Sequence, residues 1–195
     1  MKNQKIKRMA AIALLMALVA VMQLVSGMIP PVSGFSISLV LIPIVLGAAL
    51  YGPSAGAVLG ATFGTIVYIN CVTGADIGGA MVFQANPALC FAVVMGKGVL
   101  CGFVSGLVYK LLRGKNAYIA MLCAAIVCPV VNTGVFVVCM MTFFADVLSA
   151  WAQGGDLIAY ILSGLVLCNF VPELIINIAF SPASARIGQI VNKKD

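Results

Sequence analysis

Two ionisable residues, Lys97 and Glu173, lie inside long apolar stretches of the sequence. A charged side chain within a membrane costs about 3 kcal/mol or more unless it is paired or hydrated, so such residues are candidates for ligand or ion binding. Two interpretations are open. The two side chains form a structural ion pair, or Lys97 is the counter-ion of an acidic ligand.

Amide side chains accompany the buried carboxylate. Asn169 and Asn177 flank Glu173 at spacings of four residues, so the three side chains share one face of a helix. That face is expected to point into a helix bundle rather than towards lipid. Pro172 frees a backbone carbonyl one turn earlier and tends to kink the helix, and such breaks often border binding sites.

Further polar residues occur at the ends and in the middle of other apolar runs. Gln84 and Asn86 precede the run that contains Lys97. Asn132 follows Pro129 within an apolar run, and this combination predicts a locally opened helix that lines protein or a cavity. The predicted ligand-binding residues are Asn70, Gln84, Asn86, Lys97, Asn132, Asn169 and Glu173.

The sequence lacks the parts of the common catalytic and metal sites. It contains no histidine, no GxSxG or HExxH motif and no Walker A sequence. Its seven cysteines lie mostly within apolar runs without CxxC spacing, which is typical of small buried side chains. We therefore expect no cofactor, no metal site and no enzymatic activity in this chain.

Transmembrane helices are the elements that must position these residues. Hydrophobic residues make up 63% of the 195 residues and charged residues 8%, against about 25% charged in soluble domains. A helical crossing needs about 20 apolar residues. Apolar runs bounded by proline and glycine predict an all-α integral membrane protein, a bundle of six helices in a single domain over residues 1–195. The predicted helices span about 9–29, 35–51, 53–70, 87–110, 117–144 and 156–180.

The start of the chain also resembles a signal peptide, because basic residues precede an apolar run. The run continues for about 20 residues and more predicted spans follow it, which favours an uncleaved first helix.

The positions of lysine and arginine predict the orientation of the bundle. Of eleven cationic residues, all except Lys97 precede helix 1, join helices 4 and 5, or follow helix 6. Since such residues remain on the cytoplasmic side, both termini are predicted to be cytoplasmic. The net charge of +6 is then explained by topology, and no nucleic-acid binding is expected. Tyr68 and Trp151 fall near the predicted outer interface, as membrane anchors or, in the less favoured interpretation, as ligand contacts.

Small residues recur at four-residue spacing in three of the predicted helices. Such ridges let another helix backbone approach closely, either within the bundle, which is the favoured interpretation, or on a partner protein. Ala13 and Ala17 in helix 1 have this spacing, which is weak evidence alone. The glycine ridges comprise Gly52, Gly56, Gly60 and Gly64 in helix 3 and Gly98, Gly102 and Gly106 in helix 4.

Two segments carry a family resemblance over the whole chain. The segment LYGPSAGAVLG at 50–60 and the run KGVLCGFVSGLVYK at 97–110 accompany Ala13 and Ala17 and a pattern of six helices. With these features the chain resembles the substrate-binding S component of an energy-coupling factor (ECF) vitamin transporter. The resemblance implies that Ala13 and Ala17 contact a transmembrane coupling subunit, which two cytoplasmic ATPases drive. It also implies an outward-facing ligand pocket lined by helices 4, 5 and 6, in a multi-pass protein of a prokaryotic plasma membrane.

Within this family the chain looks most like the pantothenate-type and related unassigned members. The similar residues are Asn86 and Pro87 before Lys97, with Asn132 and Thr133. A lysine in the pocket agrees with a carboxylate-bearing ligand. The expected function is the binding and translocation of a small acidic vitamin or precursor, with pantothenate the leading candidate. A self-sufficient secondary transporter or channel is the alternative, although no internal repeat of the kind common in transporters is evident.

Overall fold

The computed structural model describes residues 2–28 and 39–192, and helices account for most of both ranges. A π-helical segment, Ile161–Phe170, joins the last two helices without a break. In chain order the α-helices are α1 (Lys2–Met28), α2 (Leu41–Tyr51), α3 (Pro53–Thr73), α4 (Ile77–Ala85), α5 (Pro87–Leu112), α6 (Ala117–Phe143), α7 (Ala145–Trp151), α8 (Leu157–Tyr160) and α9 (Val171–Asn192).

Five of these helical stretches are long and apolar enough to cross a membrane: Gln4–Gly27, Pro53–Thr73, Pro87–Leu112, Ala117–Phe143 and Leu157–Ile190. The helix α2 is apolar but has only 11 residues, or about 16 Å against a hydrocarbon thickness of about 30 Å. The prediction of an all-helical membrane protein is confirmed. The count of six crossings and the orientation of the termini stay predictions.

The predicted helix bounds agree with the structure except at several ends. The helix α1 begins at Lys2 rather than near residue 9, and α9 continues to Asn192 rather than ending near 180. Lysine, arginine and glutamine are good helix formers, so a helix can continue beyond the apolar run that predicts it. The helix α2 begins at Leu41, and predicted positions 29 and 35–38 lie outside the described residues.

Two short helices, α4 and α7, occur where connecting loops were expected. The N-terminus of α4 is capped by Asp76, whose Oδ1 accepts a hydrogen bond from the Gly79 N–H at 3.2 Å. Aspartate is a strong N-cap because its side chain satisfies one of the free N–H groups of the first turn. The prediction from apolar runs missed α4 because glycines within it disfavour a helix.

The predicted opening of a helix around Pro129 is wrong. The helix α6 is continuous, and Pro129 is buried within it. The irregular backbone lies instead in the last crossing, where the π-helical segment ends just before Pro172. Because Pro172 has no N–H, the helix cannot make a regular hydrogen bond there, and a wider turn accommodates the loss.

The glycine ridges of α3 and α5 pack directly against each other, and this pair makes the most extensive helix contact in the described structure. A Cβ added at Gly60 would clash with the carbonyl oxygen of Gly98, and one added at Gly56 would clash with that of Gly102. The prediction that these glycines serve close packing within the bundle is therefore confirmed. The alternative, that they form a sliding surface for a partner protein, is wrong.

Gly52 does not belong to the ridge in which the spacing placed it. It lies between α2 and α3 with φ of +90°, and an added Cβ there would meet no atom within 4 Å. Glycine adopts this backbone conformation without the steric penalty of other residues. The role of Gly52 is therefore the sharp turn between the two helices.

Contacts at both ends show how the helices alternate in direction. The guanidinium of Arg8 donates a hydrogen bond to the Tyr51 carbonyl at 2.7 Å, so the start of α1 lies beside the end of α2. Gly188 lies beside Leu50 and Tyr109, which brings the end of α9 to the same side. We call this side the cationic end, because it also carries the α5–α6 connection, with Lys110, Arg113 and Lys115. The opposite side, the acidic end, carries Asp76, Asp146 and Asp156.

The glycine contact generates a stability prediction. Gly60→Ala should destabilise the fold by about 1–3 kcal/mol, because backbone atoms of α5 cannot move aside as a flexible side chain could. The measurement is the apparent melting temperature of the detergent-purified protein. Gly96→Ala on α5 is the matched control: its Cβ would meet no atom within 4 Å, and alanine favours a helix. Equal melting temperatures for the two variants would contradict the packing role.

Candidate functional site

A cavity of about 280 Å³ lies within the bundle, towards the acidic end. Side chains of α1, α3, α5, α6 and α9 and of the π-helical segment line it, together with residues of α4 and α7. Small-molecule sites in proteins are concave and mostly apolar, with a few convergent polar groups. This cavity has that character, so it is the candidate ligand site.

The cavity brings together most of the residues predicted to bind ligand. Asn70, Lys97, Asn132, Asn169 and Glu173 all line it.

The other two predicted residues lie outside the lining. Gln84 is exposed near the end of α4. Asn86 caps α5, because its Oδ1 accepts a hydrogen bond from the Leu89 N–H at 3.0 Å. Both occur at helix ends, where polar side chains contact water or cap the helix.

Lys97 lies between two aromatic rings. Its Nζ is 4.8 Å from the ring centroid of Phe136 on α6 and 5.7 Å from that of Phe63 on α3. The negative faces of aromatic rings attract a cation, by about 2 kcal/mol where water is excluded. The rings therefore help to keep an ammonium group in the bundle, and they leave its three donors available for hydrogen bonds.

The polar face of the last crossing points inwards as predicted. Glu173 is 1% exposed and Asn177 3% exposed, and the Asn177 Nδ2 donates a hydrogen bond to the Glu173 carbonyl at 2.8 Å. Glu173 lines the cavity, whereas Asn177 does not. The ion pair between Lys97 and Glu173 and the counter-ion role of Lys97 both stay predictions.

Several buried polar oxygens at the cavity have no hydrogen-bond partner among the described residues. They are Gln23 Oε1, Asn132 Oδ1, Thr133 Oγ1 and Asn169 Oδ1. A buried acceptor without a donor costs about 1–3 kcal/mol. A molecule that brings hydroxyl or N–H donors into the cavity would remove this penalty.

Gln23, like Asp76 and Thr133, is a polar lining residue outside the predicted ligand-binding set. It is an isolated amide in the apolar run of α1, and its side chain is 6% exposed. The signal was present in the sequence, because an amide inside a membrane span is costly unless it is hydrogen-bonded. Gln23 is uncharged, so a prediction based on ionisable groups does not include it. The aromatic residues Phe63 and Phe136 carry no comparable signal, since phenylalanine is common in any apolar helix.

The acidic end of the cavity is closed by residues of several connections. Asp76 and Trp151 line the cavity there, and the indole Nε1 donates to the Met81 sulfur at 3.2 Å. Trp151 therefore has the position that a ligand contact requires. Tyr68 does not line the cavity and packs edge-on against Phe83 and Phe91, with ring centroids 5.9 and 5.1 Å away.

The thiols of Cys71 and Cys90 also line the cavity, and both cysteines are free. Within the ranges that the structure describes, no group of three or more His, Cys, Asp or Glu residues is placed to hold a metal ion.

The two faces of α1 differ in their surroundings. Val19, Gln23 and Ser26 are buried against the bundle. Ala13 and Ala17 are exposed. These alanines are therefore available for contact with lipid or with another membrane helix.

Comparison with known proteins identifies the family of this chain. A search of curated proteins finds no match. A family model described as the substrate-specific component of the ECF transporter matches residues 7–183, a segment that contains all residues lining the cavity. Members of this family are the substrate-binding subunits of membrane transporters and associate with the subunits of an ECF module. The chain belongs to the family of substrate-specific components of ECF transporters.

Proposed function

We propose that this protein binds a small acidic vitamin or vitamin precursor in the cavity, with pantothenate the leading candidate, and carries it across the membrane in an ATP-driven ECF importer. The observation that carries the proposal is the position of Lys97. Its ammonium group stands at a cavity within the bundle, framed by the rings of Phe63 and Phe136.

Among the charged groups of the lining, the Lys97 ammonium group is the one that favours a carboxylate ligand. The carboxylates of Asp76 and Glu173 line the cavity together with the single cation Lys97. Asp76 is held at the N-terminus of α4, where the Gly79 N–H and the helix dipole stabilise a negative charge. A ligand carboxylate would have the Lys97 ammonium as its partner, and a charge-assisted hydrogen bond in a site without bulk water is strong.

Pantothenate agrees with the size and polarity of the site. It combines one carboxylate with two hydroxyl groups and one amide N–H on a flexible chain, and it has no ring system that would need a stacking platform. The cavity of about 280 Å³ is at the small end of the range for organic ligands.

The charge distribution supports an outward-facing site. If the cationic end lies in the cytoplasm, as the positive-inside rule requires, both termini are cytoplasmic and the cavity is on the outer side of a prokaryotic plasma membrane. We propose this orientation and the six-helix topology for the protein.

We also propose that the exposed face of α1 binds the transmembrane coupling subunit, which works with two cytoplasmic ATPases. Ala13 and Ala17 are exposed and one turn apart, so another helix could approach the α1 backbone closely there.

Substitution of Lys97 tests whether the ligand carries a negative charge. Lys97→Met should weaken pantothenate binding at least about 30-fold, because removing one member of a desolvated charge pair costs about 2 kcal/mol or more. Binding is measured by titration of the fluorescence of Trp151, the single tryptophan, which lies at the cavity. Lys110→Met on the same helix is the matched control, since Lys110 is exposed at the cationic end. Unchanged affinity of the Lys97 variant would contradict the counter-ion role.

Melting temperatures of the Lys97 variant distinguish an ion pair with Glu173 from a ligand counter-ion. If Lys97 serves mainly to neutralise Glu173, Lys97→Met should lower the melting temperature of the ligand-free protein, because it leaves a carboxylate buried without its partner. Adding Glu173→Gln should then restore stability. A ligand counter-ion predicts the opposite pattern, with affinity reduced and ligand-free stability retained.

The second prediction concerns the partner surface. Ala13→Leu and Ala17→Leu should leave ligand affinity unchanged and strongly reduce uptake by cells that contain the complete transporter, because a larger side chain prevents close helix approach. Ala179→Leu, at an exposed alanine of α9, controls for added bulk in the membrane. Normal uptake and normal complex formation by both α1 variants would show that the docking surface lies elsewhere.

The identity of the ligand can be determined directly. Mass spectrometry of the detergent-purified protein should detect a co-purified small carboxylic acid in the wild type and much less of it in Lys97→Met. A co-purified cation or an uncharged compound at equal levels in both proteins would refute the proposed ligand class.

A further inference from the structure

Gln23 has an unusual environment for a membrane-helix residue. Its side chain is 94% buried, lines the cavity and leaves Oε1 without a hydrogen-bond partner among the described residues. The same residue lies on α1, which the sequence-based assignment of ligand-binding residues left out completely. A side chain in this position would contact a molecule bound in the cavity.

Two further amides share this condition. Asn132 on α6 and Asn169 in the π-helical segment line the cavity, and each has a buried side-chain oxygen without a partner in the described structure. We call Gln23, Asn132 and Asn169 the acceptor group. Its three residues come from three different helical segments and line one cavity, so local sequence proximity does not explain why they occur together.

We propose that the acceptor group binds hydroxyl or N–H donors of the ligand, with Gln23 as a specificity-determining residue. This inference rests on the proposed function for the identity of the cavity as the ligand site. It narrows the substrate class to carboxylates that also carry several hydroxyl or N–H groups.

The chemistry of the groups supports this class. The side-chain amide has an oxygen that accepts hydrogen bonds and an NH2 group that donates them, so a ligand hydroxyl, which does both, can satisfy either end. A site built to bind a hydroxyl rejects an analogue that lacks it, because the acceptor is then buried without a partner. Lys97 supplies the complementary preference, since an ammonium group only donates.

The test compares two probes on three proteins. The probes are pantothenate and dideoxypantothenate, in which hydrogen replaces both hydroxyl groups and the carboxylate remains. The variants are Gln23→Met, which keeps the length and loses the amide, and Gln189→Met, a matched control at an exposed residue of α9. Dissociation constants are measured by Trp151 fluorescence in detergent.

We expect the wild type to prefer pantothenate over the dideoxy analogue by roughly tenfold or more, since one lost hydrogen bond to a buried acceptor has about this effect. Gln23→Met should lose roughly tenfold in affinity for pantothenate and retain its affinity for the analogue. Gln189→Met should bind both probes as the wild type does.

Equal losses for both probes in Gln23→Met would overturn the inference, because they indicate a structural role. No preference between the probes in the wild type would overturn it too, and this includes the case in which neither probe binds.

The Lys97→Met variant separates this result from the proposed function. Loss of the carboxylate partner should weaken binding of both probes. If it weakens neither while Gln23→Met changes only pantothenate binding, the counter-ion proposal fails and the role of Gln23 stands.

Discussion

The backbone contact between α3 and α5 is the constraint on which the rest of the site depends. Gly60 and Gly98 approach so closely that neither position has room for a Cβ. Lys97 precedes Gly98 and Phe63 precedes Gly64 on the facing ridge, so this contact determines which ring lies beside the ammonium group. A larger residue in either ridge would separate the helices and with them the cation from its aromatic surroundings. Packing and ligand chemistry therefore share the same few residues.

The helix α1 is less buried in the bundle than α3. Only 17% of its most hydrophobic window is buried, against 44% for α3, so α1 has much less apolar contact to hold it in place. Two hydrogen bonds attach it near its ends: Arg8 donates to the Tyr51 carbonyl, and the Ser26 hydroxyl accepts from the Leu39 N–H at 3.3 Å. Segments with few buried contacts move at low free-energy cost. With Gln23 at the cavity and Ala17 exposed on the same helix, a small shift of α1 would alter both the ligand site and the proposed partner surface.

Much of this arrangement could be predicted from the sequence where a single physical rule dominates. Apolar runs predicted the long helices because no other structure satisfies the backbone within lipid. Glycine spacing predicted the α3–α5 contact, although it could not show that Gly52 serves a turn with positive φ. The sequence predicted an opened helix at Pro129, but α6 is continuous there. Proline removes one hydrogen bond, and a well-packed helix tolerates that loss. The short helices α4 and α7 have too few residues to show a periodic pattern.

The polar residues differ in the hydrogen-bond partners that their positions offer. Gln84 and Asn86 stand at helix ends, where water and free N–H groups offer partners, so their polarity needs no ligand to explain it. Lys97 and Gln23 stand within apolar runs, where no such partner is available from neighbouring residues in the chain. The informative property of a polar residue is therefore the cost of leaving it unsatisfied at its depth, whether or not it is charged. By this criterion a neutral glutamine inside α1 is stronger evidence for a binding site than Gln84 at the end of α4 or Asn86 at the start of α5.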